Sequence, residues 1–223
     1  MKLKAIIFDV DGTLAETEEL HREAFNKTFR EWKLAWHWDT VIYAKLLKVS
    51  GGEERIHYYA KLISDRSRLL KKKDIHLIHQ KKTKYYSKSL GENKLQLRSG
   101  VSSVIEEARR RNIKLAIATA TSRKNVEALV KTIWKVQIQD IFSAVATGDD
   151  VSQNKPCSEI YHLVLKKLQI HAKHCIAIED SLNGLVAAKG AGIKTIVTPS
   201  FYTKEEDFSQ AETVLRSLTE FKF

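Results

Sequence analysis

This 223-residue sequence predicts an α/β fold: a doubly wound parallel sheet with an α-helical cap inserted after its first strand. Three observations carry that prediction. Short, continuous apolar runs alternate with stretches of helical spacing, the pattern of strands that helices cover on both faces. Between residues 16 and about 90 the alternation stops and helical periodicity takes over. The apolar runs end in acids or hydroxyls, at the place where open parallel sheets bind their ligands.

The elements follow in order. Residues 3–8 are short, apolar and rich in β-branched side chains, as a fully buried strand requires. The run enters "DVDGT", where Gly12 permits a sharp turn and the Thr13 hydroxyl is placed to brace it. The insert spaces Leu20, Phe25, Phe29 and Trp32, and later Leu62, Leu69 and Leu70, as helices do. Its core is expected to use the tryptophans, three of which lie in "EWKLAWHWD". The polar stretch "SLGENK" at 89–94 reads as the return hinge. Strands resume at 113–119, 144–148, 175–180 and 194–200, separated by helical stretches at 101–112, 122–133, 158–168 and 182–191. The expected layout is a Rossmann-like core of residues 1–15 and 91–223, with a helical cap of residues 16–90.

Composition removes several classes of function. A hydrophobic fraction of 43% can build a core. No run approaches the roughly 18 apolar residues that span a bilayer. The N-terminal apolar stretch meets Asp9 and Asp11 with no small-residue cleavage site, so no signal peptide and no membrane partner are expected. Cys157 and Cys175 form neither a metal spacing nor a disulfide framework, which suits a reduced, cytoplasmic setting. The net charge of +11 is concentrated in residues 61–98, which hold 12 Lys or Arg against 3 Asp or Glu. That segment reads as a solvated helix face. Steering of a small polyanion is the next reading. Nucleic-acid binding comes last, because no zinc-finger, helix-turn-helix or RNA-binding signature accompanies the charge.

The strand ends carry the chemistry. The first strand ends in Asp9 and Asp11, the second in Thr119, and the fourth in Glu179 and Asp180; Lys155 opens a helix after the third. Asp9, Asp11 and one or both of Glu179 and Asp180 form a hard oxygen site that suits Mg²⁺. Paired carboxylates raise each other's pKa unless a cation lies between them. Thr119 can donate to a phosphoryl oxygen and Lys155 can neutralise its charge, which is most of what phosphoryl transfer requires. One carboxylate near the metal can attack phosphorus, and a second can shuttle the proton.

This set resembles the haloacid dehalogenase superfamily: "DVDGT" is similar to its first motif, Thr119 to its second, Lys155 to its third and "EDS" to its fourth. The resemblance implies Asp9 as nucleophile and Asp11 as general acid and base. It also implies Mg²⁺ on Asp9, the Asp11 main-chain carbonyl and Asp180, with Glu179 in support. "FDVDGTLAETEELHREAFN", "WDTVIYAKLL" and "SGGEERI" resemble the CbbY-like branch, whose cousins are β-phosphoglucomutase and phosphoglycolate phosphatase. That branch implies a phosphatase for a small sugar phosphate, including the bisphosphate xylulose-1,5-bisphosphate, acting as a monomer without nucleic acid. By the same resemblance Glu18, His21, Gly51, Gly52 and Arg55 of the cap bind substrate, with Ala120 and Thr121 beside Thr119. A phosphomutase built on the same core is the alternative.

Two positions depart from the branch: Ser158 stands where a proline is usual, a helix-cap variation of little consequence, and the other is at the paired glycines. Relatives usually carry a basic residue after the paired glycines, and this chain has Glu53. A carboxylate facing a distal phosphate repels it by roughly 1 kcal/mol in water at about 4 Å. Arg55 or a cap lysine is then expected to replace it, or the distal group is not phosphate.

Overall fold

The computed structural model describes residues 2–63, 70–92 and 95–223. Leu69, Asn93 and Lys94 of the hinge stretch, and part of the basic 61–98 segment, lie outside the described residues. The chain divides into two compact units, one of Met1–Glu16 with Leu95–Phe223 and one of Thr17–Lys94.

In chain order, β1 (Ala5–Phe8) precedes four helices: α1 (Glu18–Glu31), α2 (Thr40–Leu46), α3 (Gly52–Leu62) and α4 (Lys72–Glu92). The sheet unit then continues through α5 (Val101–Arg110), β2 (Lys114–Ala118), α6 (Arg123–Trp134) and β3 (Ala144–Ala146). It closes with α7 (Glu159–Leu168), β4 (Cys175–Glu179), α8 (Leu182–Gly190), β5 (Lys194–Val197) and β6 (Thr213–Val214). The six strands are all parallel, in the order β3-β2-β1-β4-β5-β6. The fold is therefore the expected doubly wound α/β type. The terminal strand β6 was not among the expected elements.

β1 is unbroken apolar sequence because it is central. Ala5, Ile6, Ile7 and Phe8 are fully buried, between β2 on one side and β4 on the other. Ile7 packs in a core shared with Ala116, Ala118, Tyr161, Val164 and Ala187, so α7 and α8 pack against the same strands. Truncating Ile7 to alanine would cost about 2–5 kcal/mol. Register then fixes the chemistry. Phe8 pairs with Ile117 and Ile178, so the residues that follow these strands emerge together at the carboxyl edge. The chain order reverses at β1, between β2 and β4, which makes this edge the switch point of the sheet. Where the chain leaves and re-enters the unit, Ala15 bridges Leu97 antiparallel and the Arg98 amide donates to Leu14 O at 2.8 Å.

The helical unit has its own core, with α1 packed on α4. Phe25, Phe29, Trp36 and Trp38 form an aromatic cluster, with ring centroids of Phe25 and Trp38 at 4.7 Å. Asn26 lies inside this cluster and clamps the Trp38 backbone, donating to its carbonyl at 2.8 Å and accepting from its amide at 2.7 Å. A lone amide on an apolar face is tolerated only when paired in this way. Not every tryptophan serves the insert: Trp134 ends α6 in the sheet unit and packs against Phe142. No helix among the described residues is long and apolar enough to cross a membrane.

Candidate active site

At the carboxyl edge the chain brings together the acids that the motifs predict. Asp9, one residue past β1, is 7% exposed, and its amide donates to Ile178 O at 3.0 Å. Lys155 reaches the same point from the loop before α7. Its Nζ donates to Asp9 Oδ1 at 2.7 Å, to Glu179 Oε1 at 2.6 Å and to Ala118 O at 2.9 Å. Burial works against the Lys155 charge, but Asp9 and Glu179 outweigh it and hold the ammonium above the usual lysine range. Burial pushes the Asp9 carboxyl up to about 8; Lys155 opposes the rise, and the charges of Glu179 and Asp11 add to it.

Asp9, Glu179 and Asp180 each offer a carboxylate oxygen within 4.8 Å of the others. The Asp11 carboxylate is not one of that trio. Two observations test whether a hard divalent cation suits the place. Glu179 is completely buried, yet among the described residues its Oε2 has no hydrogen-bond partner, which is costly for a charged acceptor. One ammonium faces two of three buried carboxylates, so a dication is the natural counter-charge. An all-oxygen donor set is the one that Mg²⁺ takes. The residues fit such an ion.

Two glycines hold this geometry open. Gly12 has φ +83°, and a Cβ there would collide with Asp180 Oδ2. At Gly184 on α8 a Cβ would fall on the Glu179 carboxylate. Gly184 thus makes room for a site carboxylate. Thr13 does not brace the turn by its side chain: it is fully buried and its hydroxyl has no hydrogen-bond partner among the described residues. The turn is held instead by Gly12 N to Ala15 O at 2.9 Å and Leu14 N to Val10 O at 2.9 Å.

Thr119 is 1% exposed just past β2, and its hydroxyl accepts the Thr121 amide at 3.3 Å. Ala120 and Thr121 continue that loop. The Gly148 amide donates to Thr121 O at 3.0 Å, and the Thr121 hydroxyl accepts from Asn125 at 2.9 Å. Tyr161 on α7 was not predicted. Its hydroxyl donates to Glu179 Oε1 at 2.5 Å, and burial with the Glu179 charge holds the phenol well above its usual range. In sequence it is one more aromatic on a helix face; only the fold aims it at Glu179.

The expected cap residues occupy definite places inside the helical unit. Buried His21 stacks on Tyr86, with ring centroids 3.9 Å apart, and its Nδ1 lies 2.6 Å from Lys82 Nζ. Lys82 is itself 4% exposed, with its ammonium 4.7 Å from the Phe25 ring centroid. Nothing in a lysine-rich run marks Lys82 as the buried one. Glu18 accepts from the Tyr43 hydroxyl at 2.7 Å, which accepts in turn from Arg55 at 3.1 Å. Arg55 also donates to Leu46 O at 3.2 Å and Val49 O at 3.3 Å, so its guanidinium is engaged within the unit. Gly51, at φ +96°, starts α3, and Gly52 leaves the space that the His79 ring fills. Glu53 turns to that ring and its neighbour, with Oε1 2.8 Å from His76 Nδ1 and 3.6 Å from His79 Nδ1.

Residues 6–198 match the family model for haloacid dehalogenase-like hydrolases. Protein CbbY of Cereibacter sphaeroides is 45% identical over 98% of this chain and 94% of that protein. A phosphorylated carbohydrates phosphatase of Thermotoga maritima is 33% identical over 87% of this chain and 84% of that protein. The crystal structure of a CbbY mutant from Rhodobacter sphaeroides in complex with xylulose-1,5-bisphosphate superposes with TM-score 0.94 at 44% identity, covering 98% of this chain and 96% of that one.

Proposed function

The chain belongs to the haloacid dehalogenase-like hydrolase family and is a phosphatase, and from that premise we propose that it removes phosphate from a small phosphorylated sugar, with sugar bisphosphates among the candidates, through an aspartyl-phosphate on Asp9. The observation that carries the reading is the meeting of Asp9, Lys155 and Glu179 within 2.7 Å hydrogen bonds, with Asp180 beside them, at the switch point of the sheet. Similarity to a CbbY structure that holds xylulose-1,5-bisphosphate supports that compound as a first substrate to try.

In this reading Asp9, Asp180 and the Asp11 main-chain carbonyl would hold Mg²⁺, with Glu179 in support. The ion would supply positive charge against the phosphoryl oxygens and the carboxylates. The protein's own groups do the rest. Lys155, fixed by Ala118 O and two carboxylates, keeps Asp9 oriented and offers positive charge beside it. Thr119 and the 119–121 loop position the phosphoryl group. Asp9 attacks phosphorus, and Asp11 protonates the departing sugar oxygen. Asp11 then takes a proton from water as the water hydrolyses the acyl phosphate and frees Asp9. Sugar recognition is assigned to Glu18, His21, Gly51, Gly52 and Arg55 of a cap formed by residues 16–90.

Asp9→Asn is expected to abolish turnover with the fold unchanged by circular dichroism. Normal phosphate release by that purified variant would remove Asp9 as nucleophile. A screen of sugar mono- and bisphosphates with wild type and Glu53→Lys identifies the substrate. Product analysis separates hydrolysis, which frees phosphate, from a mutase reaction, which isomerises the ester.

A further inference from the structure

We propose that Arg98 is a positioning residue for the catalytic turn: its guanidinium sets the distance between the Asp11–Gly12 turn and the end of β4 that carries Asp180. The proposal rests on the reading of Asp9 and Asp11 as the reacting carboxylates. No motif draws attention to Arg98, which lies on the segment re-entering the sheet unit. Its side chain is 15% exposed and contacts two separate stretches of that unit, the 12–16 turn and residues 198–199. Nη1 donates to Gly12 O, to Thr198 O at 2.8 Å and to Thr198 Oγ1 at 3.2 Å. Nη2 donates to Pro199 O at 2.7 Å, and Nε pairs with Glu16 Oε1 at 3.0 Å.

The path continues on the far side. The Thr198 amide donates to Glu179 O at 2.8 Å. Thr203 Oγ1 donates to Asp180 O at 2.6 Å and accepts from the Ser200 amide at 2.9 Å. Thr198, Ser200 and Thr203 are all buried. A continuous hydrogen-bonded chain therefore runs from Gly12 through Arg98 and the loop after β5 to both acids at the end of β4. Its length matters because the Asp180 carboxylate occupies the space where a Cβ of Gly12 would be. The two loops touch at that point, and a small change in their spacing moves Asp11 relative to Asp180. Displacements of about 1 Å in such constellations cost about 100-fold in rate. A planar fork with five donors at fixed angles holds the two segments at a set spacing, which the rotatable ammonium of a lysine does not.

The test compares Arg98→Ala and Arg98→Lys with wild type in Mg²⁺ buffer, with p-nitrophenyl phosphate as probe. Arg98→Ala is expected to lower kcat by about 100-fold with KM within about 3-fold, since the group acts on placement of reacting atoms. Added guanidinium ion should restore much of the loss, Arg98→Lys should restore little, and the Gly12 amide resonance should shift in both variants. A KM rise that accounts for the whole loss, absence of guanidinium rescue, or an unmoved Gly12 resonance would overturn the proposal. If Arg98→Ala does not fold, Arg98→Lys decides by its kcat and the Gly12 resonance. A wild-type protein with no phosphatase activity counts against the function proposed above, while the Gly12 resonance still decides the role of Arg98.

Discussion

Glycine at 184 and glycine at 91 look alike on paper, and the structure makes opposite demands of them. The Glu179 carboxylate fills the space beside Gly184, whereas among the described residues nothing lies within 4 Å of a Cβ at Gly91. Gly184→Ala is therefore expected to cost about 1–3 kcal/mol by overpacking and to lower kcat/KM by displacing Glu179. Gly91→Ala should instead raise stability by about 0.5–1 kcal/mol, by reducing the freedom of the unfolded chain. Thermal unfolding of the two variants, with phosphate-release kinetics on the first, checks both. At this scale the meeting of Asp9, Lys155, Glu179 and Asp180 was legible, because acids just past neighbouring strands and a lysine before the next helix fall at one edge of a parallel sheet. Tyr161, Lys82, Arg98 and Gly184 were not. Each has its role from a partner far away in sequence, and no local signal distinguishes it from ordinary core or surface.

The helices α3 and α4 are joined by an acid that ought to be awkward there. Glu53 is held down to about 2 by hydrogen bonds from His79 and His76, against the opposing effect of burial. His79 is pushed below the usual histidine range by burial, with Lys82 acting in the same direction and Glu53 and Glu54 opposing it. Both shifts act with one sign. Below pH about 6.5 the unfolded chain protonates its histidine before the folded one does, and below about 4.5 it protonates its glutamate first. Acidification from neutrality should thus weaken the α3–α4 pair continuously, and the glutamate share is lost as pH falls through about 2. Amide exchange of α3 and α4 across pH 7 to 3 measures this. Glu53→Gln should remove the glutamate share below pH about 4.5 and, because Glu53 opposes the lowering of the His79 pKa, carry the histidine share to lower pH. Element types were readable from period alone: buried parallel strands give continuous apolar runs, and the helices give their 3–4 spacing. β6 escaped because Thr213 and Val214 are both exposed, at a sheet edge that carries no such run.

For the molecule as a whole, the cluster of Asp9, Glu179 and Asp180 leads to an expectation that stability responds to a divalent cation. An ion that binds only the folded state at about 100 times its Kd adds about 2.7 kcal/mol. For a chain of this length that corresponds to on the order of 5–10 °C in Tm. Mg²⁺ is expected to raise the melting temperature by that order, EDTA to reverse it, and Asp180→Asn to abolish the response; differential scanning calorimetry reads all three. The broad α/β class was legible because the whole chain alternates in one rhythm. The spacing of the loops was not, since it depends on hydrogen bonds such as those of Arg98 that cross many residues. The pairing of Ala15 with Leu97 has a consequence of another kind. The chain departs and returns through neighbouring doorways, already stitched together by backbone bonds of the sheet unit. Evolution can therefore lengthen, shorten or exchange everything in between as a cassette, trying new specificities without rerouting a single strand.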